Sequence, residues 1–362
     1  MNKRYDLVLF ITVLTIIIFG LLMIYSSSSV WALYKFGDAF KYVKQQSLFF
    51  VIGIILMNMV SKISYKNYLN KANIVLVVCF VLLILVLIPG IGTVRNGSRS
   101  WFGIGGFGIQ PSEFTKIALI IFASKYLSKN DRYLKNIKSG VLPILFVTLL
   151  VFGVIMLEPD FGTGIVIVMS IISLLFVSGV DLKFFLKIGV LGMVGVVGLI
   201  AAAPYRLARI LSFLNPWGDP LGSGFQIIQS LYSIGPGGLL GFGLGNSRQK
   251  HFFLPEPQTD FIFSIISEEL GFLGIILVAG LFIVIISRCI KIALNTNDLF
   301  AKYLVFGITF QLAFQTILNL MVVVGLIPVT GVTLPFLSYG GSSLLVSMAS
   351  IGIILNISRY IK

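Results

Sequence analysis

The sequence predicts an all-α polytopic membrane protein, with about ten transmembrane helices, both termini cytoplasmic and a large extracellular loop between the seventh and eighth. Three observations carry that prediction. The 362 residues are 57% hydrophobic and only 11% charged, with a mean hydropathy of +1.02, a balance outside the range of soluble domains. Ten apolar runs approach the roughly 20 residues that a span requires. The basic residues gather on one alternate set of loops, as membrane orientation demands. No polar stretch is long enough to fold apart from the spans, so residues 1–362 read as a single membrane domain.

The apolar runs lie at about 7–27, 45–61, 72–89, 112–128, 140–158, 162–179, 186–204, 261–287, 302–325 and 339–357. The first follows Met1-Asn-Lys-Arg4 and is too long for the apolar core of a signal peptide, so it reads as an uncleaved span. The fifth and sixth runs are separated only by Glu158-Pro-Asp-Phe-Gly162, where Pro159 and Gly162 favour a tight turn over one continuous helix. Ten spans put both termini on one side. Loops on that side hold 17 of the 27 Lys and Arg residues, with Lys116 inside a span, so that side is cytoplasmic. The same pattern explains the net charge of +14 without nucleic acid. Cys79 and Cys289 fall in or beside apolar runs and suggest neither a disulfide framework nor a metal site.

Two large irregular loops, about 90–111 and 205–260, are expected outside. The outer loops carry Trp31, Trp101 and Trp217 and the glycine-rich segments, so the chemistry is expected on the outer face. The decisive stretch runs from Ser247 to Phe263. It is polar, is broken by Pro255 and Pro257, and leads straight into an apolar helix. Asp260 therefore sits where a wet loop enters the bilayer. It suits an N-cap and a general base alike, since a helix N-terminus keeps a carboxylate ionised.

Ionisable groups inside spans cost on the order of 3 kcal/mol. Glu113 and Lys116, in Gln110-Pro-Ser-Glu-Phe-Thr-Lys116, share a helix face at i,i+3. They read either as a structural ion pair beside an N-cap at Ser112 or as cavity-lining groups. Glu158 and Asp160 flank Pro159, and such a turn could bind a divalent cation or stand solvated. Glu268 and Glu269 cannot both point the same way on a helix, so one is expected to face a polar cavity. Between 206 and 250, Arg206, Arg209, Arg248 and Lys250 alternate with glycines that let a backbone approach phosphate oxygens. No Walker or Rossmann spacing fits. His251, the only histidine, has no visible partner constellation.

Several motifs resemble the SEDS family, which includes the RodA, FtsW and SpoVE proteins. These are Asn96-Gly-Ser-Arg-Ser-Trp101, Gln110-Pro-Ser-Glu113, Pro204-Tyr-Arg206, Asn215-Pro-Trp217, Pro255-Glu-Pro-Gln-Thr-Asp260 with Ser267-Glu-Glu-Leu-Gly271, Gly325-Leu-Ile-Pro-Val-Thr-Gly331 and Leu334-Pro-Phe-Leu-Ser-Tyr-Gly-Gly-Ser-Ser343. Asp219-Pro-Leu-Gly-Ser-Gly-Phe-Gln-Ile-Ile-Gln-Ser-Leu-Tyr232 is most similar to the SpoVE and FtsW branch. The resemblance spans nearly the whole chain. It implies a ten-helix membrane glycosyltransferase that polymerises lipid II, with Asp260 essential. It also implies a class B penicillin-binding protein as partner and a divalent cation such as Mg or Mn. The expected substrate-binding residues are Arg99, Trp101, Asp160, Arg206, Arg209, Arg248, Lys250 and Ser342, with Glu113 and Lys116 in support. The rival expectations are a flippase for the lipid-linked precursor and a scaffold for a transpeptidase.

Overall fold

The computed structural model describes residues 5–361 except 96, 105–106, 132–135, 202–203 and 223. Ten of the described helices have 16 residues or more, one for each expected run: α1 Leu7–Phe36, α2 Lys41–Lys62, α3 Tyr65–Leu87, α4 Pro111–Lys129, α5 Leu142–Leu157, α6 Phe161–Val177, α7 Leu182–Ala201, α10 Ile262–Leu294, α11 Leu299–Val323 and α12 Gly341–Ser358. Among the described residues seven helical segments are long and apolar enough to cross a membrane: α1, α2, α3, Ile137–Leu157, α10, α11 and α12. The apolar α6 has 17 residues, and α4 carries Glu113, Lys116, Lys125 and Lys129 in its 19.

Local chemistry sets the helix ends. The Asp6 carboxylate caps α1 by accepting from Leu9 N at 2.9 Å, and Asp298 caps α11 through Ala301 N. Polar Ser26-Ser27-Ser28-Ser29 does not stop α1, because the hydroxyls of Ser27 and Ser28 bond back to the Ile24 carbonyl. The helix therefore runs nine residues past its expected end, to Phe36.

Two departures from the expected architecture matter. The loop before α4 is not irregular and the fold is not purely helical. Thr93–Arg95 (β1), Ser98–Ile104 (β2) and Phe107–Ile109 (β3) form an antiparallel sheet in the order β1-β2-β3. Aromatic and β-branched residues punctuated by glycine favour strands there. The second outer loop holds two short helices, α8 Pro204–Leu214 and α9 Phe225–Ile234.

The packed centre is α11, which contacts α4, α6, α10 and α12, while α12 lies along α2. Gly307 permits the closest approach of α11, since a Cβ there would meet Ile120 of α4 and Leu174 of α6. Gly271, with φ 60° and ψ −152°, breaks α10 after nine residues, leaving a short outer segment and a long remainder.

Candidate active site

Pro111 opens α4 at its first position, where a missing N–H costs nothing, and Gln110 rather than Ser112 is the N-cap. One turn on, Lys116 Nζ lies 2.9 Å from Glu113 Oε1 and 3.1 Å from Gln315 Oε1 of α11. Both charged side chains are almost fully buried, at 3% and 8% exposure. The amide Nε2 of Gln315 donates to the Thr333 carbonyl at 3.0 Å. One turn further along the same face of α11, Asn319 Nδ2 donates to the carbonyls of Asp260 and Val332 at 2.7 and 2.8 Å. The ion pair and the backbone of Asp260 thus hang on two amides spaced i,i+4.

Asp260 is half-buried, and its Oδ1 accepts from Thr259 Oγ1 at 2.9 Å. It is not the helix cap expected from the sequence. Phe261 is the N-cap of α10 and caps through no side chain. Just before it, the Gln258 carbonyl accepts from Tyr339 N at 2.8 Å, tying this entrance to the loop that leads into α12.

On the sheet side, Asp160 is the N-cap of α6, accepting from Thr163 N at 3.1 Å and from Gln110 Nε2 at 3.0 Å. Burial pushes its carboxyl above the ordinary value. The Thr163 bonds oppose that shift, the Glu113 charge adds to it and the Lys116 charge opposes it, which marks Asp160 as an electrostatic neighbour of the pair. Ser342 bridges the Gly108 carbonyl and Gln110 N, both at 3.1 Å, so its hydroxyl latches β3 and the start of α4 to α12. Glu158 is fully buried, and among the described residues neither carboxylate oxygen finds a donor at hydrogen-bonding geometry. Burial pushes it up to about 8. The nearby Ser100 hydroxyl offsets part of that rise and Asp160 adds to it. The solvated turn allowed by the sequence is therefore wrong for Glu158.

The other expected site residues sit on the sheet and on the loop before α10. On β2, Arg99 Nη1 reaches the Leu87 carbonyl at 3.4 Å, and the Trp101 ring lies 5.2 Å from the Arg95 guanidinium. On the loop before Asp260, Arg248 is exposed over the Phe242 ring at 4.7 Å. Lys250 corrects its expectation as an anion ligand. Its ammonium is buried, bonded to the Gly245 carbonyl and 3.3 Å from Glu269 Oε1, so it is committed within the protein. The side chains of Arg206 and Arg209 lie outside the described residues.

The structure thus gathers Glu113, Lys116, Asp160 and Ser342 around Gln110 and Gln315 and joins Asp260 to them through Asn319. Reasoning from charge alone missed Gln315 and Asn319. Their signal was available: Gln311, Gln315 and Asn319 place an amide every fourth residue along an apolar helix. Among the described residues no three acidic, histidine or cysteine side chains converge to hold a metal ion. The donor set does not fit a resident Mg or Mn ion caged by the protein alone.

The family model described as "Cell cycle protein", covering FtsW, RodA and SpoVE, matches residues 6–362. The chain is 53% identical over 355 residues to "Stage V sporulation protein E" of Bacillus subtilis, covering 98% of this chain and 97% of that protein. It is 43% identical over 359 residues to "Probable peptidoglycan glycosyltransferase FtsW" of Trichlorobacter lovleyi, covering 99% and 94%. Among solved structures it matches a chain from a peptidoglycan synthase complex that coordinates polymerization and crosslinking, with TM-score 0.81, 31% identity and 98% of both chains covered. The Thermus thermophilus rod shape determining protein RodA matches with TM-score 0.72 and 29% identity, over 98% of this chain and 97% of that one. With a family model across nearly its whole length and a relative more than half identical, the chain belongs to the FtsW, RodA and SpoVE family.

Proposed function

We propose that this multi-pass membrane protein is a peptidoglycan glycosyltransferase that polymerises lipid II into glycan strands on the outer face of the plasma membrane. The observation that carries the reading is Asp260. Its backbone is pinned by Asn319 to the face of α11 that also holds the Glu113–Lys116 pair, and its carboxylate stands at the entrance to α10, accepting from Thr259. The named relatives and the synthase complex supply the reaction class.

In the proposed reaction a sugar hydroxyl of the acceptor attacks the anomeric carbon of the donor. The new glycosidic C–O bond forms as the bond to the polyprenyl diphosphate breaks, with inversion. Asp260 takes the hydroxyl proton, help of a kind that typically contributes about 10²–10⁴-fold. Arg248, with Arg206 and Arg209 of α8, binds the donor through its diphosphate. Glu113, Lys116 and Asp160 hold the floor of the site and its field. In this reading all ten long helices span the membrane, both termini are cytoplasmic, and the sheet and the loop from α8 to Asp260 face outward. A class B penicillin-binding protein is the partner that crosslinks the product.

The break in α10 is the one feature that a flippase for the same precursor would share, since transporters place sites at broken helices. The discriminating experiment is polymerisation of purified lipid II in detergent with the partner transpeptidase, where flipping is irrelevant. The wild type makes glycan, and Asp260→Asn, which preserves size, folds and binds the partner but makes none. Near-normal polymerisation by Asp260→Asn removes that residue's role. No polymer from a folded, partner-bound wild type removes the polymerase reading and leaves the flippase.

A further inference from the structure

The outer segment of α10 does more than carry Asp260 to the bilayer. Breaking a helix at Gly271 frees backbone groups that cannot stay unpaired at membrane depth. The glycine-rich loop satisfies them reciprocally. Phe272 N and Leu273 N donate to the carbonyls of Gly238 and Leu239 at 2.9 and 3.2 Å, while Phe242 N and Gly243 N donate to the carbonyls of Glu268 and Glu269 at 3.0 and 2.9 Å. The approach is so close that a Cβ on Gly241 would overlap the Glu269 carbonyl.

The side chains of Glu268 and Glu269 continue the clamp. Glu268 Oε1 accepts from Arg248 N at 2.9 Å, and Oε2 accepts from Ser247 Oγ at 2.5 Å and Gln249 N at 3.4 Å. Glu269 Oε1 accepts from Ser26 Oγ of α1, Ser247 N and Lys250 Nζ, at 2.7, 3.2 and 3.3 Å. Both glutamates are essentially unexposed, at 1% and 0%. Four consecutive residues, 247–250, are therefore fixed to two adjacent carboxylates. Among the described residues Lys250 is the one cation at the pair, and the remaining charge is met by backbone N–H and hydroxyl donors. An apolar pair would fill this space at less cost. Of the four anchored residues only Arg248 is exposed, with its guanidinium propped on the Phe242 ring.

We infer that Glu268 and Glu269 are positioning residues, which hold the 247–250 backbone so that the Arg248 guanidinium meets the diphosphate of the lipid-linked donor. The inference rests on the polymerase reading and extends it from the base to the leaving group. Fixing the backbone on both sides of an arginine removes most of the ordering entropy that its binding would otherwise cost. Lys250, drawn inward by Glu269, acts as a strut for the loop.

The test measures polymerisation of purified lipid II in detergent, with partner transpeptidase, for Glu268→Gln, Arg248→Ala and their double variant. Gln keeps the shape and one acceptor, and Ser247→Ala, which deletes the hydroxyl's bond to Glu268 and the one it accepts from Lys250 N, leaves both carboxylates in place as a second probe. Arg248→Ala and Glu268→Gln are each expected to raise KM for lipid II about tenfold with kcat within about twofold, and the double variant to add no more than about twofold to Arg248→Ala. Amide exchange at Arg248 and Gln249 should accelerate in Glu268→Gln and Ser247→Ala but not in Arg248→Ala. If the two effects on KM multiply independently, or if Glu268→Gln lowers thermal stability with KM unchanged, the clamp is structural and the inference fails. Should Glu268→Gln not fold, Ser247→Ala decides by the same comparison. An unchanged KM in Arg248→Ala overturns this inference together with the diphosphate role of Arg248, whereas the polymerase reading stands or falls separately on Asp260→Asn.

Discussion

The pair on α4 and the pair on α10 handle buried charge differently. Glu113 and Lys116 match one acid with one base three residues apart, and a side-chain amide, Gln315, completes the shell. Glu268 and Glu269 set two acids against one lysine, and a backbone segment 18 to 22 residues upstream in the chain meets most of the demand. The first constellation is self-contained, so its neighbours can move past it only by breaking the Gln315 bond. The second is made by a loop and disappears if the loop leaves. Self-contained charge suits the floor of a site, and charge satisfied by a loop suits a part that must be aimed.

The largest effect expected from breaking this comparison is on the α4 side. Lys116→Met leaves Glu113 buried without its cation, and uncompensated buried charges of this kind cost about 3–5 kcal/mol. The variant should give little monodisperse protein and a sharply lowered unfolding temperature. Adding Glu113→Gln removes the stranded charge, so the double variant should regain most of that stability while staying poorly active. Stability losses that simply add would mean that the 2.9 Å contact carries no coupling in the folded protein.

The next effect sharpens the link between the two regions. Asn319→Leu strands the carbonyls of Asp260 and Val332, each buried acceptor costing about 1–3 kcal/mol when its donor is lost. Because one of them belongs to the proposed base, kcat for lipid II polymerisation should fall about tenfold with KM nearly constant. Arg248→Ala should show the converse pattern. An Asn319→Leu enzyme that loses only KM would place Asn319 with the loop rather than with the base.

These two constellations also divide what could be read from the sequence. Each of the ten long helices coincides with an expected run, because a span's apolarity is a property of its own residues. Glu113 and Lys116 were legible for the same reason, since an i,i+3 spacing places them on one face whatever surrounds them. The sheet was missed although Ser98–Ile104 and Phe107–Ile109 carry strand formers, because glycine and charge in the same stretch suggested an irregular loop. Lys250 was misread because its sequence neighbours, Arg248 and the glycines, suggest an anion site. Its actual partner, Glu269, is 19 residues away in sequence, at the far end of the intervening loop and the first turns of α10. Asn319 was invisible as long as attention stayed on ionisable groups.

A further buried carboxylate, Glu158, has neither a cation nor a loop to meet it among the described residues, and it gives the most specific effect. Its folded-state value is pushed up to about 8, largely by burial, from an ordinary value of 4.5. A carboxyl raised in this way leaves stability intact at pH below about 4.5, where folded and unfolded chains both hold the proton. Between about 4.5 and about 8 the unfolded chain gives up its proton while the folded one keeps it, so stability falls as pH rises, by at most about 1.4 kcal/mol per pH unit for this one group, and levels off above. Glu158→Gln carries no such proton. Its unfolding temperature in detergent should exceed the wild type's at about pH 8, and the difference should shrink towards about pH 5. Asp160 is raised as well, so a slope of the same sign should persist in the variant. Parallel pH profiles for the two proteins would mean that Glu158 is ionised when folded and has a donor. In that case it would join Glu113, Glu268 and Glu269 as a fourth carboxylate whose charge the fold satisfies.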